Sequence, residues 1–110
     1  MLMASGDGSF GMNGMEVDTA VRHKLPIVVV ISNNGGWLSV DGAGSIGHRE
    51  LGFTRYDKIA EALGAWSIYV EDPQKIRPAL EQAFTSGRPA VVNVITDPTA
   101  QAQTRPFGGW

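Results

Sequence analysis

The chain has no cysteine, which excludes disulfides, thiolate metal sites and a cysteine nucleophile, and is expected of a protein from a reducing, cytoplasmic compartment. Charge is scarce and nearly balanced. Lysine plus arginine number 9 against 11 aspartate plus glutamate, with no basic cluster, so neither a nucleic-acid surface nor a patch for anionic membranes is expected. Long apolar runs are missing too: the longest, residues 26–31, is far short of the roughly 20 residues of a membrane helix. The opening "MLMASGDG" has neither the positive segment nor the apolar core of a signal peptide. No segment repeats. What is present is a globular composition, 43% hydrophobic, in 110 residues, enough for one small domain but not two.

Residues 2–5 can form only a short strand before the glycine-rich "GDGSFG" turns the chain. Asn13, with Glu16 three residues on, predicts a capping box and a helix to about His23. "PIVVVIS", from Pro26, is an unbroken β-branched run that predicts a strand buried on both faces. Residues 33–52 carry six glycines and no periodicity, and read as a long functional loop. Thr54-x-x-Asp57 is a second cap signature, with Tyr56, Ile59, Ala60 and Leu63 on one helical face and Gly64 as the stop. "AWSIYVE" is the next strand. Asp72-Pro73 then gives an N-cap followed by proline at the first helical position. Ile76, Ala79, Leu80, Ala83 and Phe84 form an amphipathic core stripe closed by Gly87, with Pro78 either within its first turns or kinking it. "PAVVNVIT" is the last buried strand.

The order β-α-β-loop-α-β-α-β predicts an α/β fold, a parallel sheet with helices on both faces, which binds ligands at the carboxyl ends of its strands. Residues 6–13 and 33–52 each follow a strand directly, so both belong at that same edge. Gly6, Gly8 and Gly11 spell the G-x-G-x-x-G of dinucleotide sites, yet two features oppose that reading. The second strand ends Ser32-Asn33-Asn34, without the acid that would hold a ribose. Asp7 would also repel a pyrophosphate, by about 4 kcal/mol for a close pair of unit charges at an effective dielectric near 20.

A divalent cation removes the conflict. Mg²⁺ takes an octahedron of oxygens and shares it readily with phosphate and water. Asn34 can offer a side-chain carbonyl and Gly35-Gly36 a main-chain one, with the positive end of the following helix nearby. Either Asp-Gly or Asn-Asn-Gly-Gly alone makes a good turn without any ligand. Together, on adjacent strand ends, they are far more specific.

"GDG" at 6–8, twenty-four residues, then "NN" at 33–34 resembles the thiamine-diphosphate motif of the decarboxylase and acetolactate synthase superfamily. The resemblance implies a Rossmann-like cofactor-binding fold. It implies Mg²⁺ held by Asp7, the Asn34 side chain and the Gly36 carbonyl. Gly6, Asp7, Gly8, Ser9, Asn34 and Gly36 would surround thiamine diphosphate, Gly8 and Ser9 meeting its diphosphate. Within the superfamily, "GDGSFGMNGMEVDTAVRHKLPIVVVISNNGGW" and "LGFTRYDKIAEALG" look most like 2-hydroxyacyl-CoA lyases, with oxalyl-CoA decarboxylases close behind and 2-oxoacid decarboxylases or synthases as further alternatives. A lyase of that kind would take an acyl-CoA substrate and give formyl-CoA plus an aldehyde or ketone. "LSVDGAGSIGHRE" departs from the family loop.

The resemblance also implies that residues 1–96 are an N-terminally truncated cofactor-binding domain, and that the tail, 97–110, with Arg105 and Phe107, could fold over the site as a lid. The activating glutamate, the other domains and the second subunit of a homodimer or homotetramer would lie outside this chain. No catalytic residue is therefore assigned here, and the chain alone is expected to be inactive. The non-enzyme alternative is an incomplete subunit or remnant that needs a partner chain. His23, at a helix end, reads as structural and His48 as a solvated loop residue. Trp37 reads equally as a cofactor neighbour or a loop anchor.

Overall fold

The computed structural model describes residues 1–37 and 50–100. Four strands form one parallel sheet: β1 (Leu2–Gly6), β2 (Val28–Asn33), β3 (Trp66–Val70) and β4 (Ala90–Ile95), in the order β1-β2-β4-β3. Between them run α1 (Asp7–Asn13), a 3-10 turn (Gly14–Glu16) and α2 (Val17–Arg22), then α3 (Tyr56–Ala62) and α4 (Pro73–Thr85). The α/β alternation expected from the sequence is the one observed. The expectations for residues 38–49 and 101–110, including those for His48, Arg105 and Phe107, fall outside the described residues.

Parallel strands need helical crossovers, and these cover both faces. On one face Val29, Ile31 and Val91 pack against Phe10, Val17, Tyr56 and Ala60 from the first three helices. On the other, Val28, Val92 and Val94 pack against Ala79 and Ala83 of α4. β2 and β4 are therefore the buried centre, which is why their sequences are rich in β-branched residues. β1 is an edge, with Leu2 and Met3 about half exposed. Beside it, Met3, Phe10, Met12, Val17, Ile27 and Val29 line an apolar groove of about 390 Å³.

Local signals succeeded where one side chain settles the matter. The Asp72 carboxylate accepts from the Gln74 N–H at 2.9 Å, and Pro73 opens α4 as expected. Three expectations need correction. First, the helix begins at Asp7, immediately after an extended Gly6, and not near Asn13, whose side chain makes no capping bond. Glu16 instead accepts from the Thr19 hydroxyl at 2.7 Å. The strand passes straight into a helix, so the glycine run is the first turn of α1 and not a loop ahead of it. Second, α3 starts at Tyr56 behind Arg55 with no side-chain cap, because Asp57 is engaged by the Arg55 guanidinium. Third, Ile59 and Phe84 are exposed, 38% and 51%, since the sheet is too narrow to cover the flanks of α3 and α4.

Candidate functional site

The strand register builds the site. Gly6 pairs with Ser32, so the residues that follow each, Asp7 and Asn33-Asn34, leave neighbouring strands at one carboxyl edge. Asp7 is the first residue of α1, and its side chain is buried, at 2% exposure. Its Oδ2 has no hydrogen-bond partner, alone among the buried side-chain oxygens and nitrogens of the described residues. A desolvated carboxylate oxygen without a partner is costly, and a cation is the group that would satisfy it.

Gly8 and Ser9 follow in the first helical turn, where backbone N–H groups have no intrahelical acceptor. A Cβ at Gly8 would come within 3.1 Å of the Trp37 indole, which lies across the turn, so a larger residue would press on that ring. Trp37 thus packs on the glycine loop from the far end of the neighbouring turn, and 40% of it stays exposed.

The second half of the site is the Asn33-Asn34-Gly35-Gly36 turn. Gly35 takes a positive φ of 74°, which a residue with a Cβ rarely adopts. Its carbonyl accepts from the N–H groups of Leu51 (2.8 Å) and Gly52 (3.1 Å), and Gly36 bridges Glu50, so the returning chain pins the turn. Asn34 is half-buried, and its Oδ1 accepts from the Gly36 N–H at 3.2 Å. Among the described residues no three His, Cys, Asp or Glu side chains come together. A cation at Asp7 would therefore draw its other ligands from amide and main-chain carbonyls, phosphate or water, the set Mg²⁺ favours. The residues present fit that ion.

Beneath the turn lies a polar cluster that sequence reasoning did not find. Asn33, wholly buried, donates from Nδ2 to the Thr54 carbonyl (3.0 Å) and to Asn93 Oδ1 (3.2 Å), while its Oδ1 accepts from the Gly35 N–H (3.2 Å). Asn93, also wholly buried, donates from Nδ2 to the Thr54 carbonyl (3.2 Å) and to Asp57 Oδ1 (3.3 Å). Asp57 accepts two bonds from Arg55, at 2.9 and 2.7 Å, and Arg55 stacks 4.1 Å from the Tyr69 ring. One signal was available: an asparagine inside "AVVNVI", a strand buried on both faces, needs partners or it costs free energy.

Among the side chains with displaced pKa values, Asp57 and Tyr56 bear on the site. Burial pushes the Asp57 carboxyl up, but hydrogen bonds from Arg55 and Asn93 and the Arg55 charge outweigh it, leaving it below the usual carboxylate value. The folded pKa thus lies below the unfolded one. The stability it contributes is fully present above about pH 4 and lost as pH falls through the folded value. Asp57→Asn should therefore flatten the acid limb: the gap in urea midpoint between the natural chain and this variant narrows from pH 7 to pH 2.5. A gap that stays constant would remove Asp57 from the acid response. Tyr56 is pushed up, first by burial and then by the charge of Asp7.

The family "Thiamine pyrophosphate enzyme, C-terminal TPP binding domain" matches residues 1–94. An acetolactate synthase large subunit of Mycobacterium tuberculosis is 46% identical over 106 residues, covering 90% of this chain and 19% of that protein. A 2-hydroxyacyl-CoA lyase of Arabidopsis thaliana is 37% identical over 115 residues, 94% of this chain and 20% of its own length. Among solved structures, a 4-hydroxybenzoylformate decarboxylase of Rhodococcus jostii superposes with a TM-score of 0.78 over 87% of this chain and 19% of its own. At 22% identity, that likeness speaks for the fold alone. The chain thus spans about a fifth of the length of the curated relatives it matches. An orphaned carboxylate, a turn of carbonyls on the next strand and a family match over nearly the whole chain lead to one assignment: the chain belongs to the thiamine pyrophosphate enzymes and corresponds to their C-terminal cofactor-binding domain.

Proposed function

We propose that this chain holds the diphosphate and Mg²⁺ of thiamine diphosphate in an enzyme that breaks or makes a carbon–carbon bond next to a carbonyl. The observation that carries the reading is the buried, unpartnered Oδ2 of Asp7 beside the Asn33-Asn34 turn. Asp7, the Asn34 side-chain oxygen and the Gly36 carbonyl would bind the metal. Gly6, Gly8 and Ser9 would frame the diphosphate, Gly8 and Ser9 through N–H groups at the start of α1. The cofactor, when bound, supplies a nucleophilic carbon and an electron sink. This chain's residues do the holding: they neutralise and orient the diphosphate, and Trp37 shields the glycine turn from water.

For the substrate, resemblance of the "GDGSFGMNGMEVDTAVRHKLPIVVVISNNGGW" and "LGFTRYDKIAEALG" stretches favours a 2-hydroxyacyl-CoA, cleaved to formyl-CoA and an aldehyde or ketone. A second reading, decarboxylation or coupling of 2-oxoacids, is favoured by the higher identity to the acetolactate synthase subunit. Both require an activating glutamate, further domains and a second subunit from outside these residues. The half-exposed edge at β1 and its groove support the presence of such neighbours. The test assays the complete protein with thiamine diphosphate and Mg²⁺ against formyl-CoA plus aldehydes, oxalyl-CoA and pyruvate. Turnover of the first supports the lyase, turnover of pyruvate alone supports the second reading, and turnover of oxalyl-CoA alone makes it a decarboxylase. Failure to bind thiamine diphosphate would overturn the site itself.

A further inference from the structure

The buried cluster under the turn has a direction. Asp57, ionised, can only accept, and the Arg55 fork fixes both its oxygens. Asn93 must therefore turn its amide nitrogen toward Asp57, and its oxygen is left facing Asn33. Asn33 must in turn present its nitrogen to Asn93, and its own oxygen is left for the Gly35 N–H. The Thr54 carbonyl, another pure acceptor, takes a bond from both amide nitrogens and enforces the same orientation. The Asp57 carboxylate, 36 residues from Asn93 in sequence, thus joins the Thr54 carbonyl in setting which way two amides point and how the turn after β2 is held.

We propose that Asp57 and Asn93 are positioning residues for the metal-binding turn, acting through Asn33 to fix Gly35 and so the oxygens of Asn34 and Gly36. The proposal rests on the reading of Asp7 and the turn as the Mg²⁺ site. Packing does not explain Asn93. It stands between Val92 and Val94 in a wholly buried stretch of β4, where an apolar side chain would fill the space without needing three hydrogen bonds. Its bonds go to Asn33 under the turn, to the Thr54 carbonyl and to Asp57, which orients it. Asp57 behaves likewise: buried at 3% exposure, it binds the half-exposed Arg55 on one side and Asn93 on the other. Outer residues that orient ligands in this way normally leave a clear mark on metal affinity.

The test uses the complete protein, Mg²⁺ titrated calorimetrically in the presence of thiamine diphosphate, and hydrogen exchange read at the peptide spanning residues 33–37 without metal. Asp57→Asn, which keeps the shape but can donate as well as accept, and Asn93→Leu, which keeps the branching but has no donor or acceptor, should each weaken Mg²⁺ about 10- to 100-fold. Both should also speed exchange in the turn peptide. Val92→Ala is the control: its side chain faces the opposite core, against α4, so it should lower the melting temperature and leave both readouts unchanged. Mg²⁺ affinity and turn exchange unchanged in Asp57→Asn would overturn the proposal, as would equal changes in Val92→Ala. Asp7→Asn keeps the two readings apart. If that variant still binds Mg²⁺ normally, the metal site is misassigned, whereas exchange in the turn peptide still tests the orienting chain by itself.

Discussion

Asp7→Asn is expected to abolish Mg²⁺-dependent binding of thiamine diphosphate and, at the same time, to stabilise the metal-free protein. The two effects have one cause. The Oδ2 of Asp7 is buried without a partner, and leaving a charged group so costs about 1–3 kcal/mol or more. Asparagine has the same shape without the charge, so most of that penalty disappears. The lost interaction of a carboxylate with the first turn of α1 works the other way, but is worth only about 0.3–1 kcal/mol. Desolvation wins, and the variant should gain on the order of 1 kcal/mol in a urea titration run with chelator. With metal and cofactor present the order reverses, because only the natural chain gains binding energy, about 2.7 kcal/mol at a hundredfold excess over the dissociation constant. Tyr56 gives an independent optical readout: without the Asp7 charge its phenol should titrate at lower pH, seen as tyrosinate absorbance. Retained metal-dependent binding would remove Asp7 from the site. A less stable apo variant would mean that the carboxylate is satisfied within the fold.

Ile31→Ala should be the most damaging single core substitution. Ile31 is fully buried in the middle of β2, in one cluster with Phe10 of α1 and Tyr56 of α3. Truncation removes three buried carbons and opens a cavity that rigid strands on both sides cannot close, at about 2–5 kcal/mol. Against a total of about 5–15 kcal/mol for a domain, that is a large share. Because Phe10 lies on the same short helix as Asp7, the floor of the site moves with it, and cofactor affinity should fall as well. Ile31→Val, which leaves a far smaller void, should cost about 0.5–1.5 kcal/mol. Chemical denaturation of both variants checks the ratio. A cost below about 1 kcal/mol for the alanine would mean that α1 settles onto the sheet and that the packing there is loose.

Much of this was legible in the chain itself, and the reasons are local. Continuous β-branched runs can be buried on both faces, so "PIVVVIS" and "PAVVNVIT" read as central strands of a parallel sheet, which β2 and β4 are. Asp72-Pro73 carries its capping chemistry in adjacent residues and was read correctly. Two helix starts were misread because a cap signature shows that a side chain is able to bond, not that it does. Asp57 found Arg55 instead, and Glu16 found Thr19. The stripes of α3 and α4 were right in period and too wide in extent, since periodicity names a face but not how much of it a four-stranded sheet can cover.

The candidate site divides in the same way. The sequence by itself determined the chemistry on offer: a carboxylate among glycines, a turn of amide and main-chain oxygens, and the spacing between them. It determined the alternation of strands and helices as well, because period and burial are written residue by residue. Only the tertiary structure decided that Asp7 is stranded without a partner at the head of α1, beside that turn. It also decided that Asn33 turns inward to Asn93 and Asp57, residues 60 and 24 positions further along the chain. The physical reason is that burial and hydrogen-bond direction belong to neighbours in space. No local pattern can state which distant acceptor an amide will meet, and that acceptor settles which way the amide points.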